Sequence, residues 1–424
     1  MAQEYFPAEK KLVVRGTDEF PREILSRAAD IEILDISFTG IRTLPDDFAR
    51  LRKLRVLFAS FTPFTGVPPQ LKDCAALKML GMKTCQISTF AEDSLPAGLE
   101  ALTLTENKLT ALPASLGKLK QLKKLMVAGN QLAALPRELL ECGDLQAIRI
   151  AANNLTGEPS WLLGLPRLAW YSDAGNPFSV QPRAGAGLPE IAWESLSLHE
   201  KIGESAKNVV YRAVEAGGAN IAVKVYGNDV TTDGYPVDEL RAILAAGTHA
   251  ALIRPIARVI GEPEGRQALA MELVPPQFTA PGNIPDLKTH IRDTYPAGKT
   301  FMLPYIFQLL RDIAGAVAHL HSRGVLHGDI YAHNILAAAD GQAYLCDLGG
   351  ASLFSAAGFS AAGARRTHID ALAFGLLADE LLSRCPEQSP SLQELIQSCT
   401  TRQLAARPDF GQIVAALAGM TGRL

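Results

Sequence analysis

Residues 99–113 read LEALTLTENKLTALP. The next copy, LKKLMVAGNQLAALP, starts at Leu122, and others start at Ile31, Leu54, Leu77, Leu145 and Leu168, in steps of 22 or 23 residues. The shared pattern is L-x-x-L-x-L-x-x-N-x-L-x-x-L-P. Its Asn position holds Asn107, Asn130, Asn153 and Asn176, with Thr39, Thr62 and Cys85 in the early copies. Leu-Pro or Val-Pro recurs at 44–45, 67–68, 112–113 and 135–136. L-x-L at period two points both leucines to one side of a short strand. The Asn carboxamide can satisfy backbone groups at the turn that leaves the strand. No copy buries its leucines alone, so seven stacked copies share one continuous core.

This periodicity over 31–180 resembles the leucine-rich-repeat family, an α/β solenoid. Residues 1–30 are expected to cap it, in a charged, irregular segment carrying Phe20, Ile24 and Leu25. By alternation the outward strand positions include Asp35, Phe38, Phe58, Phe61, Lys83, Thr103, Thr105, Glu106, Met126, Arg149, Trp170 and Ser172. They form the concave face, where a protein partner is expected. Phe38, Phe58 and Phe61 either pack under the cap or another domain, or form a partner-binding patch.

At 424 residues the chain exceeds one ordinary core. A net charge of −3 argues against a nucleic-acid binder. The six Cys form no CxxC and no zinc spacing, as in a cytoplasmic protein with reduced thiols. The N-terminal stretch carries charges where a signal peptide needs an apolar core, and no window reaches the ~18 uncharged apolar residues of a membrane span. A cytoplasmic protein with no membrane and no nucleic-acid partner is the expectation.

After Phe178 the period stops, and residues 181–192 open with the linker-like QPRAGAGLPE. From Trp193 the texture alternates. Strands are expected within 201–214, 220–227, 268–274 and 343–350, and helices over 237–247, 304–324 and from 370 to 420. Lys224 sits inside an apolar strand, which is costly unless it is paired. Glu239, 15 residues later on the next helix, is its natural partner. Asp329, Asn334 and Asp347 are further polar groups beside apolar strands. One lysine, one glutamate and three oxygen-bearing side chains suit a nucleotide with magnesium.

In order, these are I-A-V-K at Lys224, a helix Glu at 239, H-x-D-x-x-x-x-N at 327–334 and D-L-G at 347–349. Residues 193–424 thus resemble a protein kinase domain, and the whole chain resembles bacterial leucine-rich-repeat protein kinases. The resemblance implies an α+β bilobal fold, with a small lobe at 193–274 and a large lobe at 275–424, and use of ATP with Mg²⁺. It implies that Lys224 holds the α/β-phosphates and pairs with Glu239, that Asp329 accepts the substrate hydroxyl proton, and that Asn334 and Asp347 bind metal. Gatekeeper and hinge match Met271, Glu272 and Val274. Ile202, Val210, Ala222 and Leu336 would line the adenine pocket, and Gly203 opens the phosphate loop. Asp370 and Arg407 match structural positions.

Departures from the family pattern bear on activity. Ser205 and Asn208 replace two of the three loop glycines, which weakens the phosphate cradle. Gly328 stands where relatives carry an Arg that meets a phosphate on the activation segment, so the site need not wait for that phosphate. Tyr331 replaces the Lys two residues after the catalytic Asp; His333 either compensates or is simply packed. Only 20 residues, 350–369, lead from Gly349 to Asp370, without A-P-E. Ser352, Ser355, Ser360 and Thr367 are either phosphorylation sites or plain loop hydroxyls. Arg365 and Arg366 meet a phosphate, an acidic substrate or solvent. Three functions remain open: an active protein kinase acting on Ser/Thr, a nucleotide-binding pseudokinase scaffold, and a small-molecule phosphotransferase, which H-G-D also fits.

Overall fold

A computed structural model describes residues 2–179, 187–204, 208–227, 230–231, 233–354 and 361–420, with backbone only for 361–364. The chain divides into two compact units. One comprises Met1–Leu168 and Gly175–Phe178; the other comprises Ala169–Ala174 and Ser179–Leu424.

The first unit is a coil of short parallel strands: β3 (Ile33–Asp35), β4 (Val56–Phe58), β5 (Met79–Gly81), β6 (Ala101–Thr103), β7 (Lys124–Met126) and β8 (Ala147–Arg149). Its cap is more regular than its charge suggests. β1 (Ala2–Phe6) and β2 (Lys11–Arg15) form an antiparallel hairpin, and β2 then pairs in parallel with β3. The inward residues form buried columns, among them Leu34, Leu57, Leu80, Leu102, Leu125 and Ile148. On the opposite side each repeat returns through a short 3₁₀ turn, such as Pro69–Asp73, Ala114–Lys118 and Arg137–Glu141. With so short a period, little chain is left for a longer helix.

The asparagines tie the coils together. Asn130 Nδ2 donates to Leu104 O and Val127 O at 2.9 and 3.0 Å, and its Oδ1 accepts from Leu109 N at 3.1 Å. Asn107 and Asn153 repeat this set one coil away. The repeat pattern continues through β9 (Trp170–Ser172), but residues 169–174 belong to the second unit.

The second unit opens with a six-stranded sheet in the order β10-β14-β15-β13-β12-β11. The strands are β10 (Glu190–Ala192), β11 (Leu196–Glu204), β12 (Val209–Glu215), β13 (Asn220–Val225), β14 (Pro255–Ile260) and β15 (Ala268–Glu272). Helix α1 (Pro236–Ala246) lies between β13 and β14 in sequence. Ile221, Val223 and Val225 join Ala257, Val259, Ala268 and Ala270 in one core. Alternation therefore turns Ala222 and Lys224 to the other face.

The remainder is mainly helical. α2 (Leu303–Ser322) buries Ile306, Leu309, Leu310, Ile313, Val317 and Leu320 at helical spacing. It packs against α3 (Ala361–Leu382) and α5 (Phe410–Met420), and α4 (Pro390–Thr400) packs on α3. Between α2 and α3 run β16 (Val325–Leu326), β17 (Ile335–Ala337), β18 (Ala343–Leu345) and β19 (Ser352–Leu353). α3 starts nine residues ahead of Asp370, where the sequence pattern opens the late helices. The added stretch, AAGARRTHI, is rich in helix formers and has no proline to stop it.

Candidate active site

Lys224 leaves β13 on the face away from the sheet core, and its ammonium meets Glu239 of α1 at 2.5 Å. Both side chains are largely buried. Glu239 lies in the first turn of α1, where the helix dipole favours a carboxylate. Burial opposes the Lys224 charge, but Glu239 and then Asp347 outweigh it and raise its pKa. Lys224 is a fixed cation. Burial pushes the Glu239 carboxyl upward, against the pull of Lys224.

The loop between β16 and β17 carries Asp329 and Asn334. Buried Asp370 on α3 holds it: its Oδ2 accepts His327 N at 2.9 Å and bonds His321 Nε2 at 2.8 Å, and its Oδ1 accepts Gly328 N at 2.9 Å. His327 is fully buried. Its Nδ1 accepts Asp329 N–H at 3.2 Å, so its Nε2 is the donor to Cys346 O at 3.1 Å. Asn334 Nδ2 donates to both Asp329 O and Asp329 Oδ2 at 2.9 Å. Those bonds use its donors and leave the carboxamide oxygen as the atom it can offer a cation.

Asp347 follows β18 with φ of 59°, a left-handed conformation that costs a non-glycine residue energy and concentrates at functional sites. Its Oδ1 accepts Gly349 N at 3.0 Å. The crowded site disfavours its charge, but Lys224, the Gly349 N–H and His333 together hold the carboxyl below its ordinary range. The side chain opens onto the cleft rather than packing shut.

These residues converge. A cleft of about 780 Å³ is lined by Lys224, Glu239, Asn334 and Asp347, and by Ile202, Gly203, Val210, Ala222, Met271, Glu272, Val274 and Leu336. Asp329 is tied to this wall through Asn334. Cys346, Leu345, Phe278 and Leu252 also line the cleft, and no motif in the sequence singles them out. The size is that of a pocket for a small-molecule ligand. Among the described residues no three His, Cys, Asp or Glu side chains gather as a metal cage. Asn334 and Asp347 offer two oxygen ligands, which suits a Mg²⁺ ion that shares its remaining ligands with phosphates and water.

Residues 196–366 match the protein kinase domain. The chain is a leucine-rich-repeat region followed by a protein kinase-like domain. A solved leucine-rich-repeat protein of Leptospira interrogans aligns at 23% identity with a TM-score of 0.37, covering 39% of this chain. The aligned part is 43% of that protein's length, so this chain spans less than half of it. No helix among the described residues is long and apolar enough to cross a membrane.

Several features of the kinase-like domain escaped the sequence. His333 Nδ1 lies 2.6 Å from Asp293 Oδ1, and His333 N donates to Asp293 Oδ2 at 2.9 Å. Burial disfavours the imidazolium, but Asp293, then Asp329 and Asp347, raise its pKa. Tyr331 stacks on both His333 and Trp170. Arg407 is met by backbone carbonyls, donating to Thr401 O and His368 O. Trp170 and Ser172, read as outward positions of the repeats, are buried, as is Ser352. Arg366 is also buried, against Asp173 rather than solvent. Ser205, Ser355 and Ser360 lie outside the described residues.

Proposed function

We propose that the protein is an ATP-dependent protein kinase that moves the γ-phosphoryl group to Ser or Thr hydroxyls, with Mg²⁺ as its metal and its repeats binding a protein partner. The observation that carries this reading is the Lys224–Glu239 pair in one cleft with Asn334 and Asp347, beside an Asp329 held by Asn334. Ile202, Val210, Ala222, Met271, Val274 and Leu336 enclose the adenine, and Glu272 stands at the hinge. Gly203 lets the backbone approach the phosphates. Lys224, kept charged by Glu239, orients the α- and β-phosphates. Asn334 and Asp347 hold Mg²⁺, which when bound neutralises charge on the phosphate oxygens. Asp329 takes the hydroxyl proton as the new O–P bond forms and the bond to the ADP oxygen breaks.

A nucleotide-binding scaffold without transfer is the second reading. It is favoured by α3, which begins at Ala361 and so continues a helix through the stretch where relatives present a peptide platform. Incubation with Mg²⁺ and γ-labelled ATP separates the two. A kinase incorporates label into itself or a generic acceptor, and Asp329→Asn lowers the rate by at least ~100-fold. The same variant keeps the melting shift given by Mg·ATP. A shift with no label in the parent chain selects the scaffold. Turnover only with small alcohols or amines selects a small-molecule phosphotransferase.

A further inference from the structure

Of the four consecutive residues Trp170–Asp173, the first two grip the loop on both sides of Asp329 and the last two tie to Asp233, Ser352 and Arg366. Tyr171 N donates to Gly328 O at 3.0 Å. Trp170 Nε1 donates to Ile330 O at 3.2 Å, and its indole lies 4.5 Å from the Tyr331 ring at an interplanar angle of 5°. Ser172 Oγ donates to Asp233 O at 2.7 Å. Asp173 N donates to Ser352 Oγ at 3.2 Å, and the Asp173 carboxylate meets Arg366 at 2.6 Å, both side chains being at most 4% exposed. Tyr171 Oη donates to the same carboxylate at 2.8 Å. The Arg366 guanidinium also lies 5.6 Å from the centre of the Tyr171 ring.

Gly328 belongs to this arrangement. Its φ is +70°, and a Cβ there would stand 2.2 Å from Tyr171 O and 3.1 Å from Gly350 O. The Arg that related sequences carry at this position cannot be accommodated while Tyr171 is in place. The residues that exclude the Arg also bring an acid to the activation segment.

We propose that residues 170–173 are a built-in brace of the catalytic loop and that Asp173 is a positioning residue for phosphoryl transfer. The proposal rests on the kinase reading given above. In the related kinases an Arg of the catalytic loop grips a phosphate added to the segment. Here the polarity is reversed: the segment supplies the cation, Arg366, and the chain supplies a permanent anion, Asp173. A buried carboxylate–guanidinium contact with an added hydroxyl donor is a strong, oriented bond. It holds the start of α3 and, through Ser352, β19, while its neighbours Tyr171 and Trp170 hold the backbone on either side of Asp329 at Gly328 O and Ile330 O. Transfer therefore needs no phosphate on the segment, but it needs Asp173.

The test uses the full chain and the variants Asp173→Asn, Asp173→Glu and the exchanged pair Asp173→Arg with Arg366→Asp. The readouts are the rate of tryptic cleavage at Arg366, and kcat and KM for Mg·ATP after phosphatase treatment. The parent chain is expected to keep its rate when stripped of phosphate. Asp173→Asn is expected to speed cleavage at Arg366 by at least ~10-fold and to lower kcat by about 100-fold, the cost of a small misplacement of the catalytic group, with KM for ATP within ~2-fold. Asp173→Glu recovers part of the rate, and the exchanged pair recovers more than either of its single changes. Where Asp173→Asn does not fold, Arg366→Lys, which keeps the charge but not the planar fork, carries the same readouts. Unchanged cleavage and kcat in a folded variant overturn the proposal, as does loss of the parent's rate on phosphatase treatment. A parent chain that transfers no phosphate sinks the kinase reading instead, and the cleavage rates alone then decide the brace.

Discussion

Between Tyr171 O and Gly350 O the backbone at residue 328 has room for a hydrogen and no more. Alanine there meets two separate costs, a left-handed φ of about 1–2 kcal/mol and overpacking of about 1–3 kcal/mol. Gly328→Ala is expected to lower the melting temperature of the kinase-like domain by on the order of 10 °C. A differential scanning measurement with an unchanged transition would show that Tyr171 yields freely. The same scale shows what the sequence could reveal. Lys224 was legible because a charge in an apolar strand demands a partner, and Glu239 stood 15 residues on in the next helix. Asp173 likewise breaks a pattern, standing at the inward position that Leu104, Val127 and Ile150 fill in the preceding copies, but its partner Arg366 lies 193 residues away and nothing in the spacing points to it. Asp293 and His333, 40 apart, hid in the same way.

Among the elements, the repeat strands were readable from their period, and the asparagine turns test how much each position contributes. Asn130→Ala strands the Leu109 N–H between coils and takes one of two carboxamide donors from each of Leu104 O and Val127 O, at a cost of about 2–3 kcal/mol. Thr62 occupies the same position but donates to Ala59 O and otherwise meets only the Cys85 thiol, so Thr62→Ala is expected to cost about 1 kcal/mol. Urea unfolding of the two variants should separate them; equal losses would mean the carboxamide ladder is not what joins the coils. Phe38 and Phe61 have φ of 58° and 55°, while the equivalent positions Gly129 and Gly175 carry glycine. The two rings stack 4.5 Å apart and are exposed, whereas Phe58 packs over Gly81. An exposed aromatic pair in a strained backbone suits a contact surface better than a cap core. Phe38→Gly relieves the strain and loses the stacking, so its net effect on stability should lie within about 1 kcal/mol. A loss of more than 2 kcal/mol, about what a buried core aromatic would show at the least, would return the pair to the cap. α3 reaches further back than Asp370 because the alanines and arginines before that residue favour helix.

For the molecule as a whole, the repeat period and the fold disagree about where the second unit begins. The period runs through Leu168 to Phe178, yet residues 169–174 belong with residues 179–424. A leucine pattern records which side chains face inward along a strand; Tyr171 satisfies it, and Asp173 breaks it without showing what it meets. What it does not record is the pairing of a backbone N–H with Gly328 or of a carboxylate with Arg366. The consequence can be measured with two shortened chains, one starting at Leu168 and one at Gly187. The second leaves Arg366 buried without Asp173, and removing one member of a buried pair costs about 3–5 kcal/mol. For a domain of this size that corresponds to roughly 10 °C in melting temperature. The chain from Leu168 should therefore melt higher by that amount and resist trypsin at Arg366. Coincident melting curves and equal cleavage would mean that residues 169–174 contribute nothing to the second unit's stability, and the sequence boundary near residue 180 would then be the physical one.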